Sequence, residues 1–298
     1  MSEEPLISIV TPSYNQAQFI EHNLRSILVQ RHPNVEHLVI DGGSTDDTVR
    51  ILRAYEQKYR LEWVSERDSG QSDALMKGFR MSRGELVGWL NSDDMYFERG
   101  TLSFVAKLFS AEPRVDVLYG DQVAVDAANR IFRVSRLFEW NYGMILRGNS
   151  LSQPATFFRR HVVLENELDK KLHHAMDLDF WLRLGRSYLF RHVQRILAAF
   201  RIHSSAKSTA FRKAARAEAR QVLASNGQRW GIDYKVLRYL KDYPAAGLRK
   251  LLALQDCLRI PERIDELAFD PGALDVWNLT ISQLWPLQAP FPLRLRKR

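Results

Sequence analysis

Residues 84–97 read GELVGWLNSDDMYF, a stretch that places apolar Leu86, Val87, Trp89 and Leu90 directly ahead of Asn91-Ser92-Asp93-Asp94. A short apolar run closed by polar residues reads as a buried strand. Two adjacent carboxylates at its end repel each other and are costly to desolvate. The bland reading is a solvated turn; the sharper one is a divalent cation that arrives with a phosphorylated ligand. Mg²⁺ and Mn²⁺ take oxygen ligands and rarely need a cage built from protein alone. One carboxylate, Asp94, would then suffice with diphosphate oxygens and water, leaving Asp93 for a ribose hydroxyl.

Upstream, the same pattern repeats. LISIVTPSYN stops at Pro12, VEHLVIDGGS runs into Gly42-Gly43, and LEWVSERDSG ends in charge near Glu66. Between them lie segments with helical spacing: Phe19, Ile20, Leu24, Ile27 and Leu28 in the first, then DDTVRILRAYEQKY and QSDALMKGFRMS. Alternating strand and helix signals predict an α/β fold, a Rossmann-like, mostly parallel sheet flanked by helices. The C-terminal ends of such strands share one edge, where ligands bind at a switch point in the topology. Thr11-Pro12, Asp41, Glu66 and Asp93-Asp94 are thereby predicted to converge. Further on, TLSFVAKLF reads as a helix, VDVLYGDQVAVD as strand, turn and strand, and DLDFWLRLGRS as an amphipathic helix.

With 298 residues and 45% hydrophobic content, the chain can bury a sizeable core. The single cysteine, Cys257, excludes an internal disulfide framework and a cysteine-based zinc site. Together with an N-terminus that carries no basic, apolar leader pattern, this predicts a cytoplasmic protein. No window approaches the roughly 18 apolar residues of a membrane span. Charge is uneven: residues 1–120 carry 13 Lys and Arg against 18 Asp and Glu, leaving 30 against 17 in residues 121–298. The acidic front argues against a nucleic-acid grip along the whole chain, and no RNP-type motif or aromatic-basic interleaving supports one in the basic half. No nucleic-acid partner is expected.

Candidate residues follow from the strand ends. In DGGSTDDT, Ser44 with Asp47 three residues on resembles a capping box, and Asp46 and Asp47 suit a helix N-terminus. Asp41 precedes that cap and is not explained by it; a carboxylate there can accept the N–H of a uracil or bond a ribose hydroxyl. In SERDSGQSDALMKGF, Ser69-Gly70 opens a helix whose first turn offers Gln71, Ser72 and Asp73 for nucleotide or sugar hydroxyls, with Lys77 further along.

TPSYN, VIDGGSTDDT, ERDSGQSDALMKGF and WLNSDD, in this order and spacing, resemble the donor half of the family 2 glycosyltransferases of GT-A fold, over roughly residues 6–100. The resemblance implies that Thr11, Pro12 and Tyr14 line a base pocket, that Asp41 reads the base, and that Asp93-Asp94 is the DXD-type motif. Asp94 would hold Mn²⁺ or Mg²⁺ against the diphosphate of a nucleotide-sugar donor, UDP being favoured over dTDP or GDP. More loosely, GNSLSQPATFFRR (148–160) resembles the approach to the acceptor site, and HAMDLDFWLRL (174–184) the acidic motif that supplies a catalytic base. The usual Glu-Asp pair reads Met176-Asp177 here. Asp177 is the base candidate and Asp179 its competitor; positions two apart on a helix do not share a face. Both also suit a helix dipole. FRIHSSAKS (200–208) matches a further element, which places Arg201, His203 and Lys207 near the diphosphate, His203 as a second metal ligand.

The implied domains are a catalytic unit over 1–205, with a donor half at about 6–100 and an acceptor half at 101–205, and a basic, mainly helical C-terminal extension over 206–298. The implied reaction is inverting: a carboxylate deprotonates an acceptor hydroxyl, which displaces the nucleotide diphosphate directly. The acceptor class implied is a glycan or lipid-linked sugar in polysaccharide or glycolipid assembly. The tail ISQLWPLQAPFPLRLRKR mixes Trp285, Phe291, Leu293 and Leu295 with Arg294, Arg296, Lys297 and Arg298, which suits an anionic membrane surface on the cytoplasmic side. The rival reading is a non-catalytic nucleotide-sugar-binding partner subunit, favoured by the absence of a carboxylate at Met176.

Overall fold

The computed structural model describes residues 4–227 of the 298; the tail segment and most of the C-terminal extension lie outside the described residues. Strands are β1 (Ile7–Ser13), β2 (Val35–Asp41), β3 (Leu61–Ser65), β4 (Leu86–Trp89), β5 (Met95–Tyr96), β6 (Val117–Val125), β7 (Ile131–Ser135), β8 (Thr156–Arg159) and β9 (Phe190–Arg201). Helices are α1 (Ile20–Leu28), α2 (Thr48–Tyr55), α3 (Gln71–Met81), α4 (Thr101–Ala111), α5 (Tyr142–Ile145), α6 (Arg160–Glu165), α7 (Met176–Leu184), α8 (Lys207–Ala210) and α9 (Arg212–Ser225).

Among the described residues the strands form one sheet in the order β3-β2-β1-β4-β8-β6-β9-β5, with β7 paired to β6. The four strands expected from the front half are present, and β3-β2-β1-β4 are parallel throughout. β8 then runs antiparallel to both β4 and β6, and β9 runs parallel to β6. All seven residues of β1 are buried, as a parallel strand covered on both faces requires. The segment 115–126 differs from the expected strand-turn-strand. β6 is one continuous strand, and Gly120-Asp121-Gln122 marks irregular pairing with β9 rather than a chain reversal. Gly120 is needed there for close approach, because a Cβ would stand 2.6 Å from the Leu197 side chain.

α3 presses against β1 and β2 and fixes where its first turn meets the strand ends. A Cβ at Gly78 would stand 2.3 Å from Val10 Cγ1 and 3.2 Å from Ile40 Cγ1. Gly78→Ala is therefore expected to destabilise the fold by about 1–3 kcal/mol through overpacking, outweighing a helix-propensity gain of up to about 1 kcal/mol. A lower urea midpoint at unchanged slope would show it. α9 packs onto α7, and its Val222 and Leu223 join the same core cluster as Leu178, Trp181 and Phe158. No helix among the described residues is long and apolar enough to cross a membrane.

Candidate functional site

The Asp-Asp turn follows β4 and is held from two sides. Asn23 of α1 donates from Nδ2 to the carbonyl oxygens of Asn91 (2.9 Å) and Asp94 (3.1 Å). Arg201, the last residue of β9, donates its main-chain N–H to Asp94 Oδ1 (2.9 Å) and its Nε–H to the Asp93 carbonyl (2.9 Å). Asp94 is fully buried, and its second oxygen, Oδ2, has no hydrogen-bond partner. Burial, and next the charge of Asp93, push the Asp94 carboxyl well above its ordinary pKa, against the lowering pull of Arg201. An unpartnered buried carboxylate oxygen beside a second carboxylate fits an oxygen-seeking cation. Asp93 Oδ2 pairs instead with His203 Nε2 (3.1 Å), and His203 Nδ1 bonds Ser205 Oγ (2.9 Å). Both His203 nitrogens are engaged, so ligation by His203 would require release of Asp93. Among the described residues no group of three or more His, Cys, Asp or Glu is arranged to hold a metal.

Arg201 differs from the expectation that it reaches a diphosphate. Its guanidinium is spent on main chain, with NH1 on the Asp126 carbonyl (2.9 Å), and lies over the Phe19 ring. Its work is to build the turn.

At the other strand ends the loops after β1 and β2 are joined. The Asn15 N–H donates to Ser44 Oγ (2.7 Å), Gln16 N–H to Thr48 Oγ1 (2.9 Å) and Ala17 N–H to Asp46 Oδ2 (3.0 Å). The capping box expected of Ser44 and Asp47 is absent. Asp46 accepts from the Thr48 N–H, Asp47 pairs with Arg50, and Ser44 turns back to Asp41. Asp41 is fully buried and accepts from the Gly43 and Ser44 N–H groups and from the Ser44 and Ser65 hydroxyls. Three of these donors bond Oδ2 and only the Ser44 hydroxyl bonds Oδ1, so Asp41 shapes the Gly42-Gly43 turn, where Gly43 takes the left-handed φ of 80°, and keeps acceptor capacity on Oδ1. Thr11 is buried with its hydroxyl on His37 Nε2 (2.9 Å), and Pro12 is buried beside it. Tyr14 is 59% exposed.

Two residues not singled out from the sequence emerge here. Ser13 is buried opposite Asp41 with its hydroxyl unpartnered. Asp68 lies against Gly42, where a Cβ would come within 2.8 Å of its Oδ2. Burial raises the Asp68 pKa, Asp73 and Asp41 add to this, and Lys207 opposes it. Asp68 stands inside the quoted ERDSG stretch; only the pairing of β2 with β3 shows that it faces the glycine turn.

The first turn of α3 carries an amide relay. Gln71 Nε2 donates to Asn91 Oδ1 (2.8 Å), Asn91 Nδ2 to Gln153 Oε1 (2.7 Å), and Gln153 Nε2 to the Trp89 carbonyl (2.6 Å). Lys207 reaches in to Gln71 Oε1 (3.1 Å), and its charge acts on Asp68, Asp93 and Glu218. Asp73 accepts from the Ser69 N–H and from Lys170 Nζ, which holds its carboxyl down at about 2. Lys77 pairs with Glu66 at the end of β3.

The two carboxylates at the start of α7 separate cleanly. Asp179 pairs with Arg183 one turn along α7 (2.8 Å). Asp177 Oδ2 accepts from Asn149 Nδ2 (2.7 Å), and burial raises its pKa. Met176, buried, has its sulfur 2.9 Å from Ser72 Oγ, which ties the start of α7 to the start of α3.

A parallel half-sheet with an acidic turn beyond β4, and a second carboxylate presented from a helix across the mixed half, define a GT-A-type fold. The family model described as glycosyl transferase family 2 matches residues 8–172, and the chain belongs to that family. A glycosyltransferase of Rickettsia conorii is 28% identical over 213 residues, 67% of this chain and 34% of that protein. Chondroitin synthase of Escherichia coli is 26% identical over 196 residues, 64% of this chain and 28% of its own. The teichuronic acid biosynthesis glycosyltransferase TuaG of Bacillus subtilis, itself described as putative, is 40% identical over 96 residues, 31% of this chain and 38% of its own. The matched region thus spans about a third of the length of each of these three relatives. Two solved structures share the fold. S. aureus TarS with UDP-GlcNAc has TM-score 0.58 at 21% identity, covering 96% of this chain and 93% of that one. The mannosyltransferase PcManGT of Pyrobaculum calidifontis with GDP-Man and Mn²⁺ has TM-score 0.58 at 17% identity, covering 96% and 88%.

Proposed function

We propose that this chain is an inverting glycosyltransferase that moves a sugar from a nucleotide diphosphate sugar, UDP being favoured, to a hydroxyl of a glycan or lipid-linked acceptor. The observation that carries the reading is the buried Asp94 with one free carboxylate oxygen beside Asp93. Asp94 would hold Mn²⁺ or Mg²⁺, with His203 as a second ligand once parted from Asp93, and the metal would offset charge building on the leaving diphosphate. Ser13, Tyr14 and Asp68 would surround the nucleotide, and Gln71 and Lys207 would approach the sugar and phosphates. Asp177, oriented by Asn149, would take the acceptor proton as that oxygen attacks the anomeric carbon. Chondroitin synthase and TuaG, both named for polymers, support an acceptor in polysaccharide assembly. A cytoplasmic location at the inner membrane face, with the tail as contact, belongs to the same proposal.

The buried Met176 keeps the non-catalytic binding subunit as a second reading, because no carboxylate precedes Asp177. Thermal unfolding with UDP, dTDP and GDP compounds in Mn²⁺, Mg²⁺ or EDTA tests the donor site. One nucleotide is expected to raise the melting temperature only with metal, since ligand at about 100 times its Kd adds about 2.7 kcal/mol. No stabilisation under any condition would sink the reading. Stabilisation without transfer to any glycan acceptor would favour the binding subunit.

A further inference from the structure

Glu218 of α9 turns inward to the segment that leads into α7. Its carboxylate accepts three consecutive main-chain N–H groups, from His173 (2.8 Å), His174 (2.5 Å) and Ala175 (2.7 Å). The N–H groups at a helix start have no partner inside the helix. α7 begins at Met176, and the residue ahead of it, Ala175, has no side chain that can cap. The acceptor for the Ala175 N–H and for the two loop N–H groups ahead of it therefore comes from another helix, 43 residues later in sequence. Asp177 lies two residues beyond the clamped segment. The same three bonds hold the Glu218 pKa low against its burial, so the clamp is ionised at neutral pH.

We infer that Glu218 is a positioning residue for Asp177: by fixing the main chain of 173–175 it sets the angle at which the Asp177 carboxylate meets the acceptor. The inference rests on the reading of Asp177 as the base. Two further observations support it. The Asp177 carboxylate accepts from Asn149 Nδ2 (2.7 Å) and from the Leu178 main-chain N–H (2.8 Å), so its direction is tied to the main chain at the start of α7. The chain also has Met176 where a carboxylate would otherwise precede Asp177, and the Met176 sulfur is turned to Ser72. A negative charge near the base is thus supplied from α9. Of the groups that face Asp177, Asn149 is neutral and Glu218 charged, and the latter's charge contributes to holding the Asp177 pKa up. His174 and Lys207 are the basic groups that act on Glu218 in turn.

The test uses the full chain with UDP-N-acetylglucosamine and Mn²⁺ as probe, and compares wild type with Glu218→Ala and Glu218→Gln. Amide hydrogen exchange read by mass spectrometry over 172–178 is expected to rise severalfold in Glu218→Ala and less in Glu218→Gln, with no change across 91–97. The kcat for release of UDP should fall roughly 10- to 100-fold in Glu218→Ala, as misplacement of a reacting group does. Donor KM and stabilisation by UDP should hold, and Glu218→Gln should recover part of the rate. With the charge gone, the acid limb of the Glu218→Gln rate profile should move to lower pH, which a purely structural support would not cause. Unchanged exchange over 173–175, or loss of UDP binding in step with kcat, would overturn the inference. If wild type neither binds nor cleaves nucleotide sugars, the donor reading has failed, and the exchange data alone decide whether the clamp exists.

Discussion

Asp94→Asn is expected to do two opposite things: abolish metal-dependent stabilisation by a nucleotide, and make the ligand-free protein more stable. The first follows because Asn offers a weak neutral ligand where the carboxylate oxygen Oδ2 stands unpartnered. The second follows from linkage. Burial and Asp93 raise the Asp94 pKa above its ordinary 3.8, so the folded state holds this proton more tightly than the unfolded one. Stability then falls as pH rises from that ordinary value through the raised folded one. Removing the charge while keeping an acceptor for the Arg201 N–H should recover about 1–3 kcal/mol, a few degrees in melting temperature. The pH dependence of stability in that window should flatten as well. A lower melting temperature in Asp94→Asn, or nucleotide stabilisation that persists with metal, would count against Asp94 as the ligand. Such a gain in stability on loss of a site residue is the ordinary trade of a functional position.

Asp177→Asn should leave nucleotide binding intact and lower transfer about 10²- to 10⁴-fold, the usual contribution of a general base. The fall should appear in kcat with the donor KM nearly unchanged. Asp179→Asn is the control. Its carboxylate is committed to Arg183 within α7, and its loss should cost no more than a weak, partly exposed ion pair. Because burial raises the Asp177 pKa, the wild-type rate should decline on acidification at a pH above 3.8, the group's ordinary value. A larger effect from Asp179→Asn would reverse the assignment.

The parallel half of the fold was legible because its signals are local. Leu86 to Leu90 ahead of Asp93-Asp94, and the runs into Thr11-Pro12 and Asp41, each carry strand and stop within ten residues. What escaped depends on contacts between distant segments. Asp41 could be picked out from its position, but its bond from the Ser65 hydroxyl appears only once β2 and β3 pair. Gly120 reads as a turn in isolation, whereas β9 alongside makes it a point of close approach. Arg201 was visible as a cation near the site, yet nothing in FRIHSS tells that its guanidinium bonds two main-chain carbonyl groups. Glu218 lies in an alternation of Ala, Arg and Glu that looks like any solvated helix, and three N–H groups of a remote loop give it a task.

The hold of Arg201 on the Asp93-Asp94 turn also fixes an order of events at synthesis. β1 to β4 and their helices have mostly emerged by residue 100, and the pairs β3-β2, β2-β1 and β1-β4 lie wholly within that stretch. The acidic turn is different, since its main-chain support arrives with the last residue of β9, about a hundred residues further on. A nascent chain or fragment that stops short of Arg201 therefore carries the loops after β1, β2 and β3 without the latch that shapes the acidic turn after β4. The acidic turn is thus the last of the strand-end loops to be completed, after the antiparallel half of the sheet has been made.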